Sequence, residues 1–430
     1  MARSVNALAA EIDLDLTYDR TAVAHWLSGT RPTPPAPELI AEALTRRLGR
    51  AVSRATAGFP DDSTAPPPAG PAPEGQGAET ALAALCGQES DPARRVSARR
   101  LPYRKSELAG TAGAEPRWPG PAVGARPDEE GELSIVRFAV RFYSASFNAH
   151  GGGSARTALA AYLADDIAPR LRETHDPHTR RGLLVESSRL SFLLARMHQD
   201  ASVHGLAQRH FNTALQLAAE SGDRTAWAVV LRGLSAQGLA LGHRRTALHA
   251  AEAAVETTRS AHGAAGAYLL SQLAVAQAAC GAHQEAIESL GQAEHALEAA
   301  EQGTGGPGPF QAYSRAALDF QSAEALRHVG DLPAARTALN RSLARRATED
   351  RRGLALSYAQ HAEILVGIGN VEEACAAWQS FLDHYGYLRS GAVDTALSRL
   401  RQFLTPFRQL PAAAAVLDRM YVETAARRRP

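Results

Sequence analysis

Few residues in this chain have the types and spacing that chemistry needs. His175, Asp176 and His178 stand together in "HDPH", where two imidazoles and a carboxylate could hold a metal, but the Asp-Pro pair more simply marks a turn between helices. Residues 151–153 are glycines followed by Ser154, the composition of a phosphate loop. No strand pattern precedes them and no G-x-G-x-x-G is present, so a flexible interhelical turn is the preferred reading. Lys105 is the only lysine, which removes a Walker A loop and leaves a Schiff base nowhere to form except in a segment that reads as unfolded. There is no C-x-x-C, H-E-x-x-H or G-x-S-x-G. Cys86, Cys280 and Cys375 are isolated and odd in number, which fits a reducing compartment without a disulfide frame. The expectation is a protein that is not an enzyme, with no cofactor and no metal site.

Residues suited to meeting a polyanion stand near the start, and the elements that would position them can be read locally. Val5, Leu8, Ala9 and Ile12 fall on one helical face. Asp19 is a good N-cap for a short helix over residues 20–27, with Val23, Trp26 and Leu27 as its apolar side. Gly29 stops that helix, and Pro32, Pro34, Pro35 and Pro37 delay the next. Leu39, Ile40, Ala43, Leu44 and Leu48 mark a third helix ending at Gly49. Three short helices with small connections are how a reading helix is held across a major groove. Arg20, Thr21 and His25 point away from the Val23/Trp26 side and are candidates for base edges. Ala24 is placed for a thymine methyl and Arg31 for a phosphate.

The run "DRTAVAHWLSGTRPTPPAPELIAEALTRRLG", residues 19–49, resembles the recognition-helix half of Cro/C1-type (XRE-like) regulators. It is closest in character to an actinobacterial group that joins such a domain to tetratricopeptide-like repeats. In that family the W-x-x-G-x-x-P run belongs to the DNA-reading helix, and here it is Trp26, Gly29 and Pro32 with their spacers. The resemblance implies a further helix before residues 5–11, and Met1 falls where that segment begins. The expectation is a partial helix-turn-helix, either shortened or lacking its true start.

Residues 51–131 read as a Pro/Gly/Ala-rich linker with too little apolar surface to offset chain entropy. A basic patch interrupts it at Arg94, Arg95, Arg99, Arg100, Arg104 and Lys105. A solvated charge run is the plainer reading; an arm on DNA phosphates is the alternative.

From residue 133 the pattern is helical and it repeats. A small turn residue is followed five positions later by alanine, then seven later by another small or bulky residue. The sets are Ser202/Ala207/Ala214, Gly242/Ala247/Ala254, Gly281/Ala286/Ala293, Gly330/Ala335/Ser342 and Gly369/Ala374/Phe381. The alanines step by 40, 39, 49 and 39 residues, the long step carrying the Gly- and Pro-rich insertion "EQGTGGPGPF". These units resemble tetratricopeptide repeats, whose usual period is about 34 residues; the longer step implies longer helices. The fold class expected is all-α: a partial helix-turn-helix domain (residues 1–50), a long disordered linker (51–131), a helical cap (132–187), tetratricopeptide-like hairpins forming an α-solenoid (188–390) and a C-terminal cap (391–430). In the first cap Phe138, Phe142 and Phe147 are expected as core, with Leu159, Tyr162 and Leu163 on the next helix. Pro406 and Pro411 break the helices of the second.

A solenoid presents an extended concave surface lined, in arrays of this kind, by the first helix of each pair. Its inner positions are expected to include Arg189, Phe192, Arg196, Arg232, Tyr268, Phe320, Glu324, Arg327 and Glu363, which would suit a peptide or protein partner carrying acidic groups. A net charge of +1 and the lack of any apolar run near the roughly 20 residues of a membrane span favour a cytoplasmic protein without a membrane partner. The function expected is a transcriptional regulator that reads DNA through its head and a partner through its repeats, with self-association left open. The alternative is an interaction scaffold with a degenerate head. Through residue 50, six arginines (Arg3, Arg20, Arg31, Arg46, Arg47, Arg50) meet six acids (Glu11, Asp13, Asp15, Asp19, Glu38, Glu42), a weak electrostatic footprint for DNA.

Overall fold

The computed structural model describes residues 1–10, 14–33, 35–48, 52, 57–59, 77–113, 118, 130–258, 263–302 and 313–428, and among these there is no strand. The helices run α1 Ala2–Ala10, α2 Arg20–Leu27, α3 Ala36–Leu48, α4 Ala78–Ser90, α5 Pro92–Arg99, α6 Lys105–Ala112, α7 Glu130–His150 and α8 Gly152–Tyr162. A π-helical turn, Leu163–Ile167, leads from α8 into α9 Ala168–Glu173. There follow α10 Pro177–Asp200, α11 His204–Ser221, α12 Arg224–Ala240, α13 Arg244–Thr257, α14 Gly263–Cys280, α15 His283–Gln302, α16 Arg315–Val329 and α17 Leu332–Arg345. The chain ends with α18 Arg351–Gly367, α19 Val371–Tyr385, α20 Gly391–Leu404 and α21 Pro411–Arg428. Two compact units result: Met1–Arg141 with Ala155–Thr246, and Phe142–Ser154 with Ala247–Pro430.

In the first unit the head forms as its apolar spacing requires. Val5, Leu8 and Ala9 of α1 are buried against Leu39, Ile40 and Ala43 of α3, with Trp26 partly buried beside them. Ile12, Pro34 and the side chain of Leu48 lie outside the described residues. Pro37, expected to delay the third helix, sits inside the first turn of α3, where a missing N–H costs nothing.

The linker reading needs correction. Residues 77–113 are not a solvated tether but three helices packed on the first repeat, with Ala78, Leu82, Leu85, Cys86, Ala98, Tyr103 and Leu108 buried. Averaging composition over the whole segment hides this stretch, because its prolines cluster outside it. The strand-like run between α5 and α6 is the anchor. The Gln208 side chain pairs with the Arg104 backbone, accepting from its N–H and donating to its C=O, both at 2.7 Å. Tyr103 stacks on His243 at 5.6 Å. Glu42 of α3 accepts from the Lys105 N–H at 3.1 Å and from Arg46 at 2.9 Å, and Arg46 reaches the Tyr103 carbonyl at 3.3 Å. The head is therefore fixed to α6. The patch arginines fall on α5 and the turn after it: Arg94 is exposed and paired with Asp91, while Arg95 donates to the carbonyls of Glu89 and Ser90. The proline clusters at 66–73 and 116–127 lie outside the described residues.

The repeat pattern does the same work at each turn. Ser202, Gly242, Gly281, Gly330 and Gly369 all have φ between 62° and 96°. In each case the N–H of the next residue bonds five residues back, as from Val203 to His198 and from Asn370 to Leu365. The turn residue's own N–H bonds three back, completing a Schellman cap that satisfies two orphan carbonyls. The alanines at 207, 247, 286, 335 and 374 are each fully buried. In the first unit α10 and α11 form a hairpin against which α12 packs. In the second, α14/α15, α16/α17 and α18/α19 are hairpins whose successive members pack on one another, the arrangement of an α-solenoid. Of the insertion after α15, residues 303–310 lie outside the described residues.

The caps hold one correction. Phe147 is buried, but Phe138 and Phe142 are 63% and 56% exposed, so the aromatic spacing on α7 is a surface feature and not a core stripe. In the second unit, the glycines after α7 serve backbone packing: the Gly153 N–H donates to the Arg389 carbonyl at 2.8 Å, and Arg389 donates to His150 at 2.8 Å.

Gly205, in the first turn of α11, makes the anchor possible. A Cβ there would stand 1.7 Å from the Leu101 carbonyl oxygen. Gly205→Ala is expected to lower stability by about 1–3 kcal/mol through overpacking. It should also speed hydrogen exchange at the Arg104 amide; unchanged exchange there would contradict this docking. Ser202→Gly, at φ 62°, is expected to raise the melting temperature, since a side chain in the left-handed region costs about 1–2 kcal/mol.

Candidate functional site

The head presents α2 outward. The Asn6 side chain brackets the Tyr18 backbone, donating to its C=O at 2.8 Å and accepting from its N–H at 3.0 Å. Tyr18 in turn stands edge-on to Trp26 at 4.8 Å, which sets the rotation of α2. Asp19 caps the helix by accepting from the Ala22 N–H at 2.8 Å, and that bond holds its carboxyl below the usual range. Arg20, Thr21, Ala24 and His25 are all exposed on the free side, and Arg31 is exposed just beyond the helix. Leu27 departs from expectation: it is 85% exposed and belongs to the free side. One residue past Trp26 turns the helix by about 100°, which carries it off the core.

The expected groove residues divide between the two units. In the first, Arg189 is half-buried and bonded to Glu186 at 2.7 Å, while Arg196 lies over the Phe192 ring at 6.0 Å. Phe192 packs on Phe211 at 5.8 Å, so its ring is partly core. Arg232 is only 6% exposed, which removes it from any open surface. In the second unit Tyr268 stands edge-on to Tyr313 at 5.1 Å, and Phe320 packs into the α16/α17 core beneath Arg346. Glu324 is half-buried and Arg327 exposed. Glu363 pairs with Arg399 at 2.9 Å; burial raises its carboxyl, and the charges of Arg399 and Arg327 oppose that. Of the arginines in the expected set, Arg327 is exposed and Arg196 is half-buried over the Phe192 ring.

A second cluster escapes sequence reasoning altogether. Glu89 near the end of α4 meets His198 of α10 and His210 of α11, and all three side chains are fully buried. Glu89 Oε1 lies 2.8 Å from His198 Nε2, and Oε2 lies 3.1 Å from His210 Nε2. The two imidazoles are parallel, with ring centres 5.2 Å apart. Burial opposes the Glu89 charge, but the imidazoles outweigh it and hold the carboxyl well below its usual range. Burial pushes His198 down to about 4 against the pull of Glu89. The Cys86 thiol, one turn earlier on α4, is raised by burial and by the Glu89 charge. Arg156 of α8 is within the field of Glu89; burial and the charges of Arg99 and Arg95 lower its pKa. Such a set can share a proton or ligate an ion, and its full burial suits a structural role. Glu89 and His210 are 121 residues apart, with no local motif at either. By contrast "HDPH" is a turn, as expected: Asp176 caps α10 and Pro177 opens it.

A family described as the SP15 N-terminal domain matches residues 1–60, a span that covers α1 to α3 and stops before α4. No curated protein matches the chain. Among the described residues, no helix is long and apolar enough to cross a membrane. The molecule is an all-helical repeat protein with a three-helix head.

Two histidines beside the anchor give it a pH dependence. Burial lowers His204 to about 4, and burial with the charges of Arg46 and Lys105 lowers His243 to about 4. Their unfolded values lie near 6.5, so below that pH the unfolded chain gains protons that the folded chain refuses. The contribution of these two histidines to stability is thus fully present above about pH 6.5 and is lost as pH falls towards 4. The melting temperature is expected to drop across that window, and His243→Phe, which keeps the stack on Tyr103, should flatten the drop. An equal slope in the variant would refute the assignment.

Proposed function

We propose that the chain is a cytoplasmic transcriptional regulator, an XRE-like DNA reader joined to tetratricopeptide-like repeats that receive a peptide or protein partner. The observation that supports it is the free side of α2, where Arg20, Thr21, Ala24 and His25 are exposed together while Trp26 turns to the head core. An arginine and a histidine can donate to base edges, and Arg31 is placed to neutralise a phosphate. For the partner side, Arg327 offers exposed charge, and Ile135 and Phe138 stand 56% and 63% exposed on α7.

The scaffold reading is favoured by Leu27, whose 85% exposure at the end of the would-be reading helix suits an apolar protein contact better than a polyanion. Selection from random DNA with the full chain separates the two. The regulator reading expects an enriched sequence whose affinity falls as salt rises. Arg20→Ala should weaken it by about 1–3 kcal/mol and relax the preference at one position, while Arg31→Ala should weaken all sequences alike. No enrichment at low salt would leave the scaffold. Reversing charge at Arg196 and Arg327 should reduce partner capture without changing DNA affinity.

A further inference from the structure

We propose that Glu89, His198 and His210 bind one divalent transition-metal ion of the zinc class, which clamps α4 onto the α10/α11 hairpin. One donor atom from each residue lies within 4.8 Å of the other two, on three different helices. His198 Nε2 lies 2.8 Å from Glu89 Oε1 as a close charge contact, with neither atom satisfied by a well-formed hydrogen bond. Two buried atoms that each offer a lone pair, this close and unpaired with one another, fit donors that share a cation. The rings are parallel and stacked with centres 5.2 Å apart, so one imidazole must turn for both Nε2 lone pairs to meet an ion at metal–nitrogen bonds of about 2.0 Å. Neither Nδ1 has a hydrogen-bond partner among the described residues, so the outer partner usual behind a metal-bound histidine is missing here, and packing with the Glu89 contacts orients the rings.

The donor chemistry selects the ion. Two nitrogens and one carboxylate suit zinc and its neighbours, whereas magnesium and calcium prefer all-oxygen shells. Full burial leaves no route for a substrate, so the ion is structural. The opposing charge is Arg156, which feels Glu89 and would repel a cation; Arg95 is engaged by the carbonyls of Glu89 and Ser90. Arg156→Gln is therefore expected to tighten ion binding.

The test uses the full chain without an affinity tag, stripped by a chelator and titrated with zinc(II) against a chromophoric competitor. One equivalent should bind, with a rise in melting temperature. Cobalt(II) should give the intense visible bands of a four-coordinate site, and His210→Cys should add a thiolate-to-cobalt charge-transfer band. Glu89→Gln should weaken binding beyond the roughly 10–100-fold that loss of an outer partner causes. If the wild-type chain binds no zinc or cobalt, the proposal is overturned, and that result stands whether or not the variants fold. It is equally overturned if folded Glu89→Gln and His210→Cys bind as the wild type does, with no new band. Neither outcome bears on the DNA reading, since the cluster lies outside the head.

Discussion

The close approach of the Leu101 carbonyl to Gly205 is the contact on which the first unit depends. It lets an extended run between α5 and α6 lie along α11, where the Gln208 amide replaces the hydrogen bonds that backbone would otherwise lose on leaving water. With that run in place Tyr103 is buried, α4 and α5 are held on one side, and α6 offers the surface that α3 uses through Glu42 and Arg46. At the far end of α6, Trp118 stands edge-on to Trp227 at 6.0 Å. A flexible tether of this length would transmit no motion from repeats to head. A packed one can, because a shift of α11 moves the run that carries α3.

Acids buried beside helix hairpins recur, and each is matched differently. Glu186, only 3% exposed, takes Arg137 and Arg189, while Asp319 takes Arg341 at 2.9 Å and Arg345 at 2.8 Å. These arginines keep part of their length in water, so desolvation is shared with the surface. Glu89 differs in that both direct partners are imidazoles and all three groups are dry. A carboxylate placed so deep is strongly destabilising when a partner is removed, which makes the cluster sensitive to its occupant.

What the sequence by itself determined is the part governed by local rules. The Asp19 cap, the faces of α1 and α3, and the left-handed turns with their buried alanines follow from spacing within a few residues, because caps and Schellman turns are closed by neighbours in the chain. The outward side of α2 was legible for the same reason, save for Leu27, whose exposure depends on where the core ends. Tertiary structure decided the rest. Whether residues 77–113 fold could not be read from composition, since α4 packs on α9, α11 and the π-helical turn as well as on α5, and Leu85 and Ala98 share a cluster with Val203 and Leu206. Phe138 and Phe142 have core spacing yet are exposed among the described residues, and Arg232 has surface chemistry yet lies inside. Glu89, His198 and His210 carry no pattern at all. Their meeting exists only because three helices distant in sequence are brought together by packing, and the order of residues along a chain does not encode that distance directly.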